Sequence, residues 1–260
     1  MTLIKSISGI RGTIGGKTGD NLTPIDIVKF TSAYAEFIKK STNSTRPKIV
    51  VGRDARISGK MVHNIIVGTL MALGCDVVDL GMATTPTTEI AVVKESASGG
   101  IIITASHNPK QWNALKLLNN KGEFLNAAEG EEILNIADAE DFDYAQVDDL
   151  GVITEKQYLQ EHIKDVMQLD LVDVDAIKAA NFKVAVDAVN SIGGIAVPEL
   201  LYALGVKQVF KLHCQPHGNF SHNPEPLPEN LTELSSLMVS SKADVGFSVD
   251  PDVDRLVIYA

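Results

Sequence analysis

The sequence is poor in cysteine, lacks an excess of positive charge and contains no long apolar run. Cys75 and Cys214 are its two thiols, far apart and in no C-x-x-C pattern. A small disulfide scaffold is excluded, and two buried or half-buried thiols in a reducing compartment are expected. No stretch of about 18 apolar residues occurs, so no transmembrane helix and no membrane partner are expected. The opening MTLIKSISGIRG has neither an apolar h-region nor a cleavage site, which argues against secretion and for a cytoplasmic protein. Lys plus Arg number 23 against 33 Asp plus Glu, a formal net charge of −10. A nucleic-acid binder needs a basic face to neutralise phosphates, so no nucleic-acid partner is expected. An anionic ligand would have to be met by a few local positive groups.

What is present is an ordinary globular balance over 260 residues, 45% hydrophobic and 22% charged. That length suits one large domain or two medium ones. The pattern alternates. Strands are expected at Lys48–Val51, Asp76–Leu80 and Gly100–Thr104. Helices are expected over Ser58–Leu73, closed by Gly74, and from Thr85-Pro86. A second round has helices at Tyr158–Leu169, Gly193–Leu204 (closed by Gly205) and Glu229–Ser241. Its strands are Phe182–Val186, Val206–Leu212 and Asp244–Val249. This reads as two consecutive mixed, mostly parallel α/β domains, each a sheet covered on both faces. The stretch from Asp138 to Asp149 is acidic at six of twelve positions and is the expected linker, dividing the chain into 1–150 and 151–260.

Three segments carry candidate chemistry, and two of them follow expected strands, where ligands of open α/β sheets bind. Thr104-Ala105-Ser106-His107-Asn108-Pro109 offers a hydroxyl nucleophile at a strand end. The same composition also suits a turn in which Ser106 and Asn108 bond their own backbone. The glycines of a G-x-S-x-G hydrolase elbow are missing. Asp250-Pro251-Asp252-Val253-Asp254-Arg255 places carboxylates at alternate positions, which repel unless a hard cation such as Mg²⁺ or Ca²⁺ lies between them. An EF-hand is excluded because Arg255 stands where its glycine belongs. An aspartyl-phosphate phosphatase, with Asp250 as nucleophile and Asp252 as acid/base, is a further reading. Ser6-Ile7-Ser8-Gly9-Ile10-Arg11-Gly12 combines glycines that let an anion approach with a guanidinium fork.

Taken in this order and at this separation, the three segments resemble the α-D-phosphohexomutase superfamily, which includes phosphomannomutase/phosphoglucomutase and phosphoglucosamine mutase. The resemblance extends to Gly52-Arg53-Asp54, Trp112-Asn113-Ala114-Leu115-Lys116 and His222-Asn223-Pro224-Glu225-Pro226, so it spans the chain. It implies that Ser106 carries a phosphoryl group and that Asp250, Asp252 and Asp254, with a phosphoserine oxygen of Ser106, hold Mg²⁺. It further implies that Arg11 and Arg255 lie near that phosphate and that His107 and Lys116 manage protons. The implied reaction moves a phosphoryl group between C1 and C6 of a hexose through a bisphosphorylated intermediate, with a hexose 1,6-bisphosphate as activator. Lys116 could serve as a base if it is desolvated beside other cations. Arg53 could pair with Asp54. The Trp112–Lys116 segment leans toward phosphoglucosamine mutase-like members.

The superfamily has four domains, and neither its later sugar-recognition loop nor its C-terminal phosphate-binding loop has a match here. The expectation is therefore the first two domains of a longer enzyme, poorly active without the others, with a hexose phosphate as substrate. The competing readings are a non-catalytic module that binds metal or sugar phosphate, and a metal-dependent phosphatase.

Overall fold

The structure is a computed structural model describing residues 1–6 and 9–260. Ile7 and Ser8 of the N-terminal motif lie outside the described residues. In chain order the first elements are β1 (Ile4–Ser6), β2 (Gly9–Thr13), α1 (Pro24–Thr42), β3 (Lys48–Arg53), α2 (Gly59–Ala72) and β4 (Asp76–Met82). There follow α3 (Thr85–Lys94), β5 (Gly99–Ile103), β6 (Trp112–Leu118), α4 (Ala127–Ala139) and β7 (Ile153–Glu155). The remainder is α5 (Leu159–Met167), α6 (Val174–Ala180), β8 (Lys183–Asp187), α7 (Gly193–Ala203), β9 (Gln208–Leu212), α8 (Thr232–Ser241), β10 (Val245–Val249) and β11 (Leu256–Tyr259).

Two sheets result, in the orders β1-β2-β6-β5-β3-β4-β7 and β11-β10-β8-β9. The β-branched runs expected as strands form the parallel part of each sheet, β5-β3-β4 in the first and β10-β8-β9 in the second, and β7, which was not expected, extends the first in parallel at its edge. Antiparallel pairing is added at the other side, through β1-β2-β6-β5 and β10-β11. Strand periodicity sorts the core. Ile49, Val51, Ile101 and Ile103 face α1, α2 and α4, whereas Val50 and Ile102 face α3. In the second sheet Val184 and Val186 pack toward α7, and Ala185 packs toward Leu234 and Met238 of α8. Each sheet is thus the middle of three layers.

Helix α1 lies outside the expected elements. Its signal is local: Thr23 caps it, Asp26 closes a capping box and Pro24 opens the first turn. Ile27, Phe30, Tyr34, Phe37 and Ile38 then form one buried face. The helix expected from Glu229 begins at Thr232, after a 3₁₀ turn over Pro228–Asn230.

The acidic segment after α4 is not a free linker. The Tyr144 hydroxyl meets Ser32 Oγ at 3.1 Å, Ala145 N–H donates to Ala72 O at 2.8 Å, and Gly151 N–H donates to Met71 O at 2.9 Å. The expected division at residue 150 falls just before β7, which pairs with β4 as the last strand of the first sheet. Cys75 is buried and Cys214 half-buried, and both thiols are free. Burial pushes Cys75 up to about 12 and Cys214 up to about 11. Among the described residues no helix is long and apolar enough to cross a membrane.

Candidate active site

The serine loop leaves the carboxyl end of β5 and the aspartate loop leaves the carboxyl end of β10. The two meet: Ser106 Oγ donates to Asp250 Oδ2 at 2.6 Å. Two further bonds join the units, from Thr85 and Ala55, and a third, from Ser191, ties the second of these to the aspartate loop. Thr85 N–H donates to Asp252 O at 2.8 Å, Ser191 Oγ donates to Pro251 O at 2.6 Å, and Ala55 N–H donates to Ser191 Oγ at 3.3 Å. Ser106 sits at φ +48°, in the left-handed region that non-glycine residues rarely adopt. Its backbone N–H donates to Thr104 Oγ1, which in turn donates to Asp54 Oδ2. The Ser106 side chain therefore points across to the second unit rather than to its own turn.

A buried arginine that sequence reasoning passed over organises this loop. Arg56 is 1% exposed. Its Nε donates to Asp54 Oδ2 at 3.1 Å, and its two Nη atoms donate to the carbonyls of Ser106, Asn108, Pro109 and Trp112. The pairing considered for Arg53 belongs instead to Arg56. Arg53 makes a backbone bond, Nη1 to Asp54 O at 3.0 Å. The available signal was an arginine two residues after a strand-end aspartate, which looks like any surface charge until the loop folds over it. Thr85 was also missed. Its hydroxyl donates to Asp252 Oδ2 at 2.6 Å from the first turn of α3.

Asp250, Asp252 and Asp254 bring carboxylate oxygens within 4.8 Å of one another. Asp250 Oδ1 accepts from the N–H groups of Asp254 and Arg255. Asp252 Oδ1 is buried and has no hydrogen-bond partner among the described residues, an arrangement that costs about 1–3 kcal/mol unless a cation meets it. Burial, and then the charges of Asp252 and Asp254, push the Asp250 carboxyl up to about 8. Burial also opposes ionisation of Asp252, but the Lys116 ammonium and the Thr85 hydroxyl outweigh it and hold this carboxyl below the usual range. An all-oxygen set with an orphaned buried carboxylate oxygen fits a hard cation such as Mg²⁺.

Asp250 is raised in the folded state, so without metal its contribution to stability is complete below the ordinary carboxylate range. It is lost as pH rises toward about 8. Mg²⁺ reverses the penalty by displacing the proton, so binding at pH 7 should release about one proton, and progressively less above pH 8. Calorimetry in buffers of different ionisation enthalpy measures this, and a buffer-independent binding enthalpy at pH 7 would refute it.

Lys116 does not sit beside cations. Its Nζ lies 2.8 Å from both Asp252 Oδ2 and Asp254 Oδ2. Burial lowers its pKa, but the two carboxylates prevail and raise it, so the ammonium is retained where the cation-free cluster needs charge. His107 Nδ1 lies 3.4 Å from Ser106 Oγ. Burial, followed by the nearby Arg255, holds the His107 imidazole below its ordinary value, so its neutral form prevails near pH 7. Arg11, on β2 between Gly9 and Gly12, has its Nε buried with no hydrogen-bond partner among the described residues. Gly9 adopts φ +114°, and a Cβ there would lie 2.1 Å from Leu115 O, so only glycine lets β2 close on β6. Arg255 is exposed, 3.7 Å from Glu225. Arg11, Ser106, His107, Lys116, Asp254 and Arg255 line one open cleft of about 250 Å³. Its three basic side chains supply the local positive charge that an acidic chain must provide for an anion.

This architecture, a strand-end serine in one α/β/α unit docked on a triple-aspartate loop in the next, defines a class of two-unit α/β proteins built around that contact. The phosphoglucomutase/phosphomannomutase alpha/beta/alpha domain I model matches residues 3–144 and the domain II model matches residues 159–260. The chain belongs to the phosphoglucomutase/phosphomannomutase family. It is 36% identical over 95% of its length to a phosphoglucomutase/phosphomannomutase of Thermococcus kodakarensis, covering 54% of that protein. It is 35% identical over 98% of its length to a probable phosphoglucosamine mutase of Methanosphaera stadtmanae, covering 55% of it. The fold superposes on a phosphoglucomutase/phosphomannomutase family protein of Burkholderia thailandensis with a TM-score of 0.82 at 25% identity, over 100% of this chain and 55% of that one. A putative phosphomannomutase of Thermus thermophilus gives 0.84 at 23% identity, over 99% and 57%. The chain spans about half the length of the curated relatives it matches.

Proposed function

We propose that this chain supplies the phosphoryl-carrying and metal-binding half of a phosphohexose mutase, with Ser106 as the carrier. The observation that bears the reading is the 2.6 Å contact between Ser106 Oγ and Asp250 Oδ2, which places a hydroxyl on the rim of a carboxylate cluster built for a cation. Asp250, Asp252 and Asp254 would hold Mg²⁺ together with an oxygen of phosphorylated Ser106. Mg²⁺ supplies positive charge against the phosphoserine, which adds about −1.5 to −2 near pH 7. Arg11 and Arg255 orient the phosphoryl oxygens from the cleft wall, since phosphoryl transfer is mainly positioning and charge stabilisation. Neutral His107 exchanges a proton with the Ser106 or substrate oxygen. Lys116 holds the Asp252 and Asp254 carboxylates and donates to phosphoryl oxygens when the cluster takes metal.

The substrate class is a hexose phosphate of the glucose, mannose or glucosamine type, with a hexose 1,6-bisphosphate as activator. The distal phosphate and the sugar hydroxyls are assigned to domains beyond this chain, whose binding energy positions the reacting end. A division into two units, with the boundary after β7 rather than at residue 150 because that strand completes the first sheet, and a cytoplasmic location belong to the same proposal. The phosphatase reading is disfavoured by access: Asp250 and Asp252 are 0% exposed and do not line the cleft, whereas Ser106 does.

The test is a product assay on the full-length protein with Mg²⁺, bisphosphate and each of the three hexose 1-phosphates. The expected product is the 6-phosphate, without stoichiometric inorganic phosphate, while residues 1–260 alone give little turnover. Release of inorganic phosphate would establish a phosphatase. Binding without any product would establish a non-catalytic module.

A further inference from the structure

A second cluster of metal-ligating groups lies at the carboxyl ends of β8 and β9 and shares no residue with the aspartate loop. We propose that Asp187, His213 and His222 form a zinc site that pins the loop 213–223 to the second sheet. The three side chains place one ligand atom each within 4.8 Å of the others. Tetrahedral zinc with bonds of about 2.0–2.2 Å requires ligand atoms about 3.3 Å apart, so small side-chain rotations close the set. One edge is already that short, with His222 Nε2 3.0 Å from Asp187 Oδ2.

Proton placement supplies the second argument. His222 Nδ1 lies 2.7 Å from Asn223 O. A carbonyl only accepts, so Nδ1 carries a hydrogen and Nε2 is the ring atom turned to the site. Without metal, Nε2–H donates to Asp187 Oδ2 as an imidazolium–carboxylate pair, and zinc would take the place of that proton. Metal-bound histidines characteristically donate their other ring N–H to a carbonyl or carboxylate. The remaining groups agree. Asp187 is 1% exposed and commits Oδ1 to the Val189 N–H, leaving Oδ2 for the site. His213 Nε2 is buried with no hydrogen-bond partner among the described residues, 3.4 Å from the Glu233 carboxylate. His213 is held at φ +48° directly after β9, which turns its ring toward His222 at a centroid distance of 5.6 Å. Two imidazoles and one carboxylate select zinc over the hard cations that suit the aspartate loop. Glu233 or water completes the fourth position.

The site has a structural consequence for the serine loop. The strap it anchors carries Phe220, whose ring lies 5.0 Å from the Arg56 guanidinium. It also carries Gly218 at φ +72°, where a Cβ would lie 1.9 Å from Ala55 O. Zinc would therefore brace the wall behind the arginine that holds Ser106.

The experiment uses chelator-stripped protein reloaded with Zn²⁺ in excess Mg²⁺, which saturates the aspartate loop, followed by desalting and metal counting. One zinc per chain is expected, with an upward shift in Tm. His213→Asn, chosen because asparagine tolerates positive φ, and His222→Gln should each weaken zinc binding about ten-fold or more, while Asp252→Asn retains it. Co²⁺ substitution in the parent protein should give the intense visible bands of a tetrahedral nitrogen-ligated site, a readout that does not depend on the variants folding. No zinc after desalting, retention by the His213→Asn/His222→Gln double variant, loss with Asp252→Asn, or a weak octahedral Co²⁺ spectrum would each overturn the proposal.

Discussion

Ser106→Ala in the full-length protein is expected to abolish phosphate uptake from a hexose 1,6-bisphosphate. Intact-mass analysis should show one added phosphate on the parent and none on the variant. The change removes one hydroxyl and keeps the β-carbon, so the loop geometry set by Thr104 and Arg56 is retained. Its structural cost is the lost donor to Asp250 Oδ2, about 1–3 kcal/mol for a buried acceptor left unpaired, and Mg²⁺ can offset that. Proton release on Mg²⁺ binding should persist, which separates loss of the carrier from loss of the metal site. Among the described residues, the neighbouring hydroxyls of Thr104 and Thr85 are already engaged: Thr104 Oγ1 is occupied between Asp54 and the Ser106 N–H, and Thr85 Oγ1 is committed to Asp252. A phosphate that survives in the alanine variant would place the carrier elsewhere.

Arg56→Met is expected to be strongly destabilising, although Arg56 is buried and does not line the cleft. The guanidinium neutralises Asp54, itself fully buried, and gathers four carbonyls of the loop that carries Ser106. Methionine fills a similar volume but leaves a buried carboxylate without its cation. Breaking a buried pair from one side costs about 3–5 kcal/mol, a large part of the roughly 5–15 kcal/mol that holds a domain folded. Chemical denaturation measures the loss. Adding Asp54→Asn should recover part of it, because the amide needs no counter-charge. A loss within about 0.5 kcal/mol, the scale of surface substitutions, would show that the arginine does not hold the loop.

The central strands and most helices of the second unit were legible because their signals are local. Runs such as Gly100-Ile101-Ile102-Ile103 are apolar on both faces, as parallel strands between helix layers must be. Helix α1 carried an equally local signal in Thr23-Pro24-x-Asp26, with its buried face spaced around Tyr34. The antiparallel margin was not legible. β1, β2 and β11 are short or half-exposed, and their strand character comes from the neighbour they pair with. The acidic stretch after α4 looked like a solvated linker by composition, yet its backbone bonds to Met71 and Ala72 tie it down.

By itself the sequence determined which groups lie at strand ends: Ser106 after β5, and Asp250, Asp252 and Asp254 after β10. Those placements follow from chain-local periodicity and from the rule that sheets present their carboxyl-end loops to ligands. Only the tertiary structure decided who meets whom. It set Asp250 against a serine 144 residues away, put Lys116 among carboxylates rather than cations, and gave Asp54 to Arg56 instead of Arg53. It also brought Asp187, His213 and His222 together from two strand ends and a loop. Distances across two sheets depend on how their helices pack and on which polar groups burial forces into partnership, and no spacing along a single chain encodes them.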